Sequence, residues 1–227
     1  MIDYQPPETA IEIIYGDNDI LVVNKPSGLL SVPGRIYKDC LISRLQEDFP
    51  GVRCVHRLDM ETSGLMVLAL NKPAQAHLNK QFEQRRVTKH YVARVIGHPE
   101  HDSGEINVPL ICDWPNRPRQ KVDYESGKSA LTRWTVLQRE AVTTLLNLTP
   151  VTGRSHQLRV HLWHIGLPIV ADSLYQPESL TTRQMKAVQE IKNHSLRQSL
   201  HLHSVYLRFN HPSRSETVDF ECGAAFS

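Results

Sequence analysis

The sequence predicts an α+β fold: a mixed, largely antiparallel central β-sheet with flanking helices, in a single bilobed domain over residues 1–227. Three observations carry this expectation. β-prone runs outnumber helical ones and do not alternate with them in the regular way that βαβ units require. The 227 residues are 40% hydrophobic and 22% charged, which supplies apolar material for one good core. No low-complexity tract and no repeat of fixed period is visible, so solenoids and arrays are set aside.

Ile11 to Tyr15 and Ile20 to Asn24 are β-prone runs joined by Gly-Asp-Asn-Asp, a hairpin signature. A loop rich in Pro and Gly follows, KPSGLLSVPGR, where Gly28 and Gly34 allow either close backbone approach to a ligand or a plain connection. Asp39 is placed to cap a helix reaching Phe49, with Leu41 and Leu45 facing inward. A short strand at Arg53 to Val55 then leads through the turn Thr62-Ser63-Gly64 to the apolar run Leu65 to Leu70, which reads as a strand buried on both faces. Asn71 caps the next helix, with Pro73 in its first turn and Leu78 and Phe82 on one side. Further strands are expected at Lys89 to Ile96, Glu105 to Leu110, Leu131 to Gln138 and Thr143 to Leu148. Ser155 opens a helix through HQLRVHLWHI, a polar helix spans Thr182 to Lys192, and strands at His201 to Phe209 and Glu216 to Phe220 complete the pattern.

Several function classes fall away at this stage. The first ten residues carry two acids and a proline pair where a secretory signal needs positive charge and an apolar run. The longest apolar stretches, ILVV and LMVLAL, fall far short of the roughly 20 residues that a membrane helix needs. The expected location is the cytoplasm, with no membrane partner. Cys40, Cys54, Cys112 and Cys222 lie far apart without a Cys-x-x-Cys pair, which reads as reduced thiols. Histidines crowd HQLRVHLWH and HLH, and a metal site is the sharp reading of those segments. His161 and His164 share a helical face but His156 lies off it, and no His-Glu-x-x-His spacing occurs, so packing or RNA-contacting imidazoles are preferred and no metal is assigned. The net charge of +2 is too mild to announce a nucleic-acid partner. Its distribution says more. Gln84 to His98 holds four Lys or Arg and no acid, and Trp114 to Lys121 holds three and no acid, both interleaved with aromatics as phosphate neutralisation and base stacking require. A solvated face is the competing explanation of either segment.

The chemistry concentrates in HRLDMETSGLMVLAL, from His56 to Leu70, which places Asp59 between an arginine and the turn that launches the apolar strand. Loops fixed by rigid elements are where reactive groups are presented. Taken alone, Asp59 reads better as a residue that merely forms an Asx-turn or accepts the backbone N–H groups of Thr62 and Ser63. An ionised carboxylate at the edge of a core also needs a partner. Arg154 in TGRSHQLRVH, just after the turn Gly153, is a candidate because a guanidinium grips a carboxylate bidentately. Arg57 and Arg159 compete for that part, as does a phosphate contact for Arg154.

Four blocks taken together, VVNKPSG, HRLDMETSG around Asp59, KHYVARV around Tyr91, and TGRSHQLR around Arg154, resemble the RluA-type pseudouridine synthases, in the same order and over nearly the whole chain. The resemblance implies the pseudouridine synthase fold, a bilobed catalytic domain with a central cleft and no N-terminal S4 RNA-binding domain. It further implies an isomerase that turns uridine into pseudouridine without a cofactor, acting as a monomer on hairpin-loop uridines of 23S ribosomal RNA and a tRNA anticodon stem-loop. Asp59 takes the place of the catalytic aspartate, Tyr91 that of the aromatic stacked on the target uracil, and Arg154 that of the basic partner. Arg57 matches the arginine that occupies the space of a flipped nucleotide. Lys89, Arg117, Arg119 and Lys121 are the further expected RNA contacts, and Leu202, where the family favours a small alanine, is expected in the pocket wall. A catalytically silent RNA-binding or ribosome-assembly protein of the same fold, or a metal-dependent hydrolase, are the alternative readings.

Overall fold

The computed structural model describes residues 4–177, 179–194, 199–224 and 226. It divides into two compact units, one formed by residues through Lys89 together with His203–Ala224, the other chiefly by His90–Leu202.

In the first unit, strands β1 (Glu12–Gly16), β2 (Ile20–Lys25), β4 (Ser63–Ala69) and β11 (Leu202–Asn210) lie side by side in that order, with β12 (Thr217–Glu221) on β11 and the short β3 (Arg53–Cys54) on β4. Their pairings are antiparallel except β4 with β11, which run parallel where His203 meets Ser63 and Ser204 meets Gly64. The apolar runs that signalled β2 and β4 are fully buried on both faces, Ile20, Val22, Leu65 and Val67 on one, Leu21, Val23, Met66 and Leu68 on the other. Helix α2 (Lys72–Glu83) covers the first of these faces through Ala74, Leu78 and Phe82, spaced four apart. Asn71 caps it as expected, its side chain accepting the Ala74 N–H at 2.9 Å. At its far end Gln81 donates to the carbonyl of Asn210 and accepts that residue's N–H, both at 2.8 Å, fastening the helix to the end of β11.

Helix α1 is shorter than expected, Leu41–Leu45, and its cap is Cys40, whose sulfur accepts the Ser43 N–H. The expected cap, Asp39, instead holds Arg44 through two hydrogen bonds of 2.7 Å. Gly64 matters to the sheet: its φ is +110°, and a Cβ there would stand 2.4 Å from the Ser204 carbonyl oxygen. Only glycine lets β4 and β11 approach this closely.

The second unit contains β5 (Thr88–Ile96), largely within it, then β10 (Thr143–Pro150), β9 (Leu131–Arg139) and β6 (Ser103–Asn107), each antiparallel to the next. The single strand expected over Glu105 to Leu110 is two: β6 stops at Asn107, and β7 (Leu110–Cys112) leaves after Pro109 to pair with β8 (Gln120–Val122). Pro109 has no N–H to donate, so a ladder breaks there. Helix α3 (Gln157–His164) packs Val160 against Leu110, Ala130 and Tyr175, and α4 (Thr182–His194) places Val188 against Ile96 and Val170. Among the described residues no helix is long and apolar enough to cross a membrane.

Candidate active site

The main chain around Asp59 is held on every side. Upstream, His56 stacks on Phe82 at 4.5 Å and accepts the Val67 N–H through Nε2 at 3.1 Å. Burial pushes its pKa down to about 3, so the ring stays neutral and able to accept. Ser31 Oγ donates to the Leu58 carbonyl at 2.7 Å and accepts the Leu58 N–H at 3.2 Å. The Met60 carbonyl receives the Gly28 N–H at 2.9 Å and Lys25 Nζ at 3.0 Å, and the Glu61 carbonyl receives Ser27 Oγ at 2.5 Å. The Asp59 carbonyl itself takes the Thr62 N–H at 3.1 Å. The KPSGLLS segment is therefore a template, four of whose residues are spent on fixing residues 58–61. Asp59 is partly buried on this frame.

Lys25 was not singled out from the sequence, although a lysine closing the apolar strand ILVVNK is the available signal. It is 0% exposed and stands opposite Gly64 in the β2–β4 register. Its ammonium donates to the carbonyls of Pro26, Leu29 and Met60 at 2.9, 2.7 and 3.0 Å. Three acceptors match its three protons. Burial lowers its pKa to about 7, and the negative charge of Asp59 works against that shift. Arg57 is exposed, and Lys89 lies 6.0 Å from the centre of the Phe82 ring with its pKa lowered by burial.

The second unit carries the remaining sequence-predicted residues. Tyr91 lies in β5 opposite Leu148 of β10 and is 8% exposed. Arg154 is exposed; its Nε donates to the Ser129 carbonyl at 3.2 Å and its backbone N–H to Gln157 Oε1 at 3.0 Å. Gln157 is itself fixed, accepting Thr152 Oγ1 at 2.7 Å and donating to the Leu131 carbonyl and Thr132 Oγ1, both at 3.0 Å. This buried glutamine sets where Arg154 begins, a role invisible in the sequence pattern. Arg159, a competitor for Asp59, is committed elsewhere. It grips Asp172 with bonds of 2.7 and 2.6 Å, both side chains buried, while Asp172 also accepts the N–H groups of Leu174 and Tyr175.

Arg117 and Arg119 lie in the β7–β8 connection and Lys121 lies in β8. Arg117 stacks 3.5 Å from the Trp114 ring centre, Arg119 lies 5.4 Å from that of Tyr175, and Lys121 stands 3.6 Å from Asp123. Leu202 opens β11 and is 3% exposed. Helix α3 starts one residue later than expected, with His156 rather than Ser155 preceding it in a left-handed conformation, and His156 Nδ1 meets the Tyr175 hydroxyl at 2.8 Å.

In the two crowded segments, two of the histidines are buried among hydrogen-bond partners. His161 is buried, bonded to Thr132 Oγ1 and the Val108 carbonyl, and His203 is buried with Nδ1 at 2.8 Å from Ser63 Oγ. Elsewhere in the first unit Asp17, Asp19 and His211 bring ligand-type atoms within 4.8 Å. Those atoms already have partners: Asp17 takes the N–H groups of Asp19 and Ile20, His211 and Arg214, and Asp19 takes Ser213 Oγ and Asn71. All four cysteines are free thiols.

Against known proteins, residues 19–164 match the family model described as RNA pseudouridylate synthase. The chain is similar to proteins named dual-specificity RNA pseudouridine synthase RluA. That of Vibrio parahaemolyticus is 51% identical over 93% of this chain and 83% of its own, and that of Escherichia coli K12 is 46% identical over 100% and 99%. Among solved structures, Human RNA Pseudouridylate Synthase Domain Containing 1 aligns with a TM-score of 0.74 at 30% identity, over 97% of this chain and 86% of that one. Human RNA Pseudouridylate Synthase Domain Containing 4 gives 0.75 at 27%, over 93% and 88%.

Proposed function

The chain belongs to the RNA pseudouridylate synthase family, and from that premise we infer that it isomerises uridine to pseudouridine in structured RNA. The observation that carries the reading is the setting of Asp59: a partly buried carboxylate on a loop whose neighbouring carbonyls are bonded by Lys25, Ser27, Gly28 and Ser31. A reactive group held on so fixed a frame loses little freedom on reaching the transition state.

The reaction breaks the C1′–N1 bond, rotates the freed uracil, joins C1′ to C5, and releases the C5 proton while N1 gains one. No electrons are exchanged overall. Asp59 serves it either by attack on C1′ or by taking the C2′ proton. Arg154 is assigned as its ionic partner and Tyr91 as the ring stacked on the uracil. The target must first leave its stack, at a cost of a few kcal/mol. Arg57 is assigned to the space it vacates, and Leu202 to the wall of the pocket. Lys89, Arg117, Arg119 and Lys121 are assigned to RNA phosphates. The name of the curated relatives supports more than one class of RNA target. Those proposed are a hairpin-loop uridine of 23S ribosomal RNA and one in a tRNA anticodon stem-loop, met in the cytoplasm by a monomer without a cofactor. Unpaired loop bases suit such recognition.

The test is release of tritium from RNA labelled at uridine C5. Wild type is expected to release it, and Asp59→Asn to release almost none while still binding RNA. Equal release by the two proteins would remove Asp59 from its role.

A further inference from the structure

On the tip between β7 and β8, a 3₁₀ turn over Trp114–Asn116 is closed by the Asp113 N–H donating to the Arg119 carbonyl at 2.9 Å. Trp114 is 64% exposed, an indole that the core does not use. The Arg117 guanidinium lies 3.5 Å from its ring centre, covering one face. From Trp114 to Lys121 there are three cations and no acid. The tip is not adrift: the Gln120 N–H donates to the Tyr175 hydroxyl at 2.8 Å, and that hydroxyl meets His156, two residues beyond Arg154.

We propose that Trp114, pre-oriented by the Arg117 stacked on it, is a platform for one unpaired nucleobase of the RNA, distinct from the uracil that is isomerised. The proposal rests on RNA being the substrate. A guanidinium on one face of an indole presents positive charge for a phosphate and leaves an aromatic surface on which any base stacks. A charge-only contact needs no tryptophan, and a packing residue would not stand two-thirds in solvent.

The experiment is a cycle between protein and RNA. Affinity for a hairpin is measured with each loop nucleotide replaced in turn by an abasic residue, for wild type and Trp114→Ala. Trp114→Ala is expected to weaken the intact hairpin roughly tenfold, the cost of one lost base stack, and Trp114→Phe to restore most of it. At one abasic position, not the target, wild type is expected to lose the same factor and Trp114→Ala to lose nothing more. Arg117→Gln is expected to reduce the slope of log affinity against log salt by about one, and Trp114→Ala to leave that slope unchanged. Trp114→Ala binding within twofold of wild type, or full additivity at every abasic position, overturns the platform. Both outcomes are read from binding, so absence of tritium release by wild type would count against the isomerase reading separately.

Discussion

The ammonium of Lys25 lies 3.0 Å from the carbonyl oxygen of Met60, the residue directly after Asp59. One buried cation therefore shapes the loop that carries this carboxylate. Lys25→Met is expected to take the lysine donor from the Pro26 and Leu29 carbonyls, while Met60 keeps the Gly28 N–H, and to lower stability by about 2–4 kcal/mol, given that a buried polar group left unpaired costs roughly 1–3 kcal/mol. The measurement is the urea midpoint. At low temperature the folded variant is expected to keep activity within about tenfold, because Ser27, Gly28 and Ser31 still bind the loop. An unchanged midpoint would show that the buried ammonium is dispensable.

Gly64→Ala brings a methyl group to 2.4 Å from the Ser204 carbonyl at a φ of +110°. The parallel pairing of β4 and β11 has to open, and a loss beyond about 3 kcal/mol is expected in thermal unfolding. Gly166→Ala supplies the control, since its φ is +76° but a Cβ there meets nothing within 4 Å. Its cost is expected near 1 kcal/mol.

Two arginines five residues apart are expected to behave oppositely. Arg159→Met leaves the Asp172 carboxylate buried without its cation, costing roughly 3–5 kcal/mol. Arg154→Met alters an exposed side chain and is expected to shift stability by no more than about 0.5 kcal/mol. Its deficit is expected in tritium release. Denaturation and activity measured on both variants give the comparison, and a stable, active Arg154→Met would sink its assignment as partner of Asp59.

Acid should unfold the protein early. Burial lowers the pKa of His56 from 6.5 to about 3 and those of His161, His201 and His203 to about 4. Between pH 6.5 and those values the unfolded chain binds protons that the folded chain refuses, so stability rises with pH through this window and is complete above it. Each histidine contributes a slope of up to about 1.4 kcal/mol per pH unit. Urea midpoints from pH 7 to 4.5 measure the total. His203→Gln is expected to flatten the curve by about one proton, and an unaltered curve would mean that His203 titrates normally.

How much of this was legible in the sequence depended on how local the physics is. Asn71, Pro73 and the spacing of Leu78 and Phe82 contain everything that starts and orients α2, and the apolar runs of β2 and β4 report double-sided burial directly. Where two local signals competed, the outcome turned on a partner. Asp39 lost the cap of α1 to Cys40 because Arg44 holds its carboxylate. In the candidate site, Asp59 stood out by type and setting, whereas Lys25 and Gln157 did not. Lys25 bonds main-chain carbonyls, and Gln157 bonds main-chain groups and two threonine hydroxyls; tertiary folding brings these partners together, and backbone groups carry no sequence signature.

Lys25, Ser27, Gly28, Ser31 and Thr62 bond residues 58–61 through main-chain atoms of that loop. Each of these bonds ends on the main chain and is kept whichever side chain occupies position 59. A substituted residue at this address therefore inherits the same main-chain moorings from the surrounding scaffold.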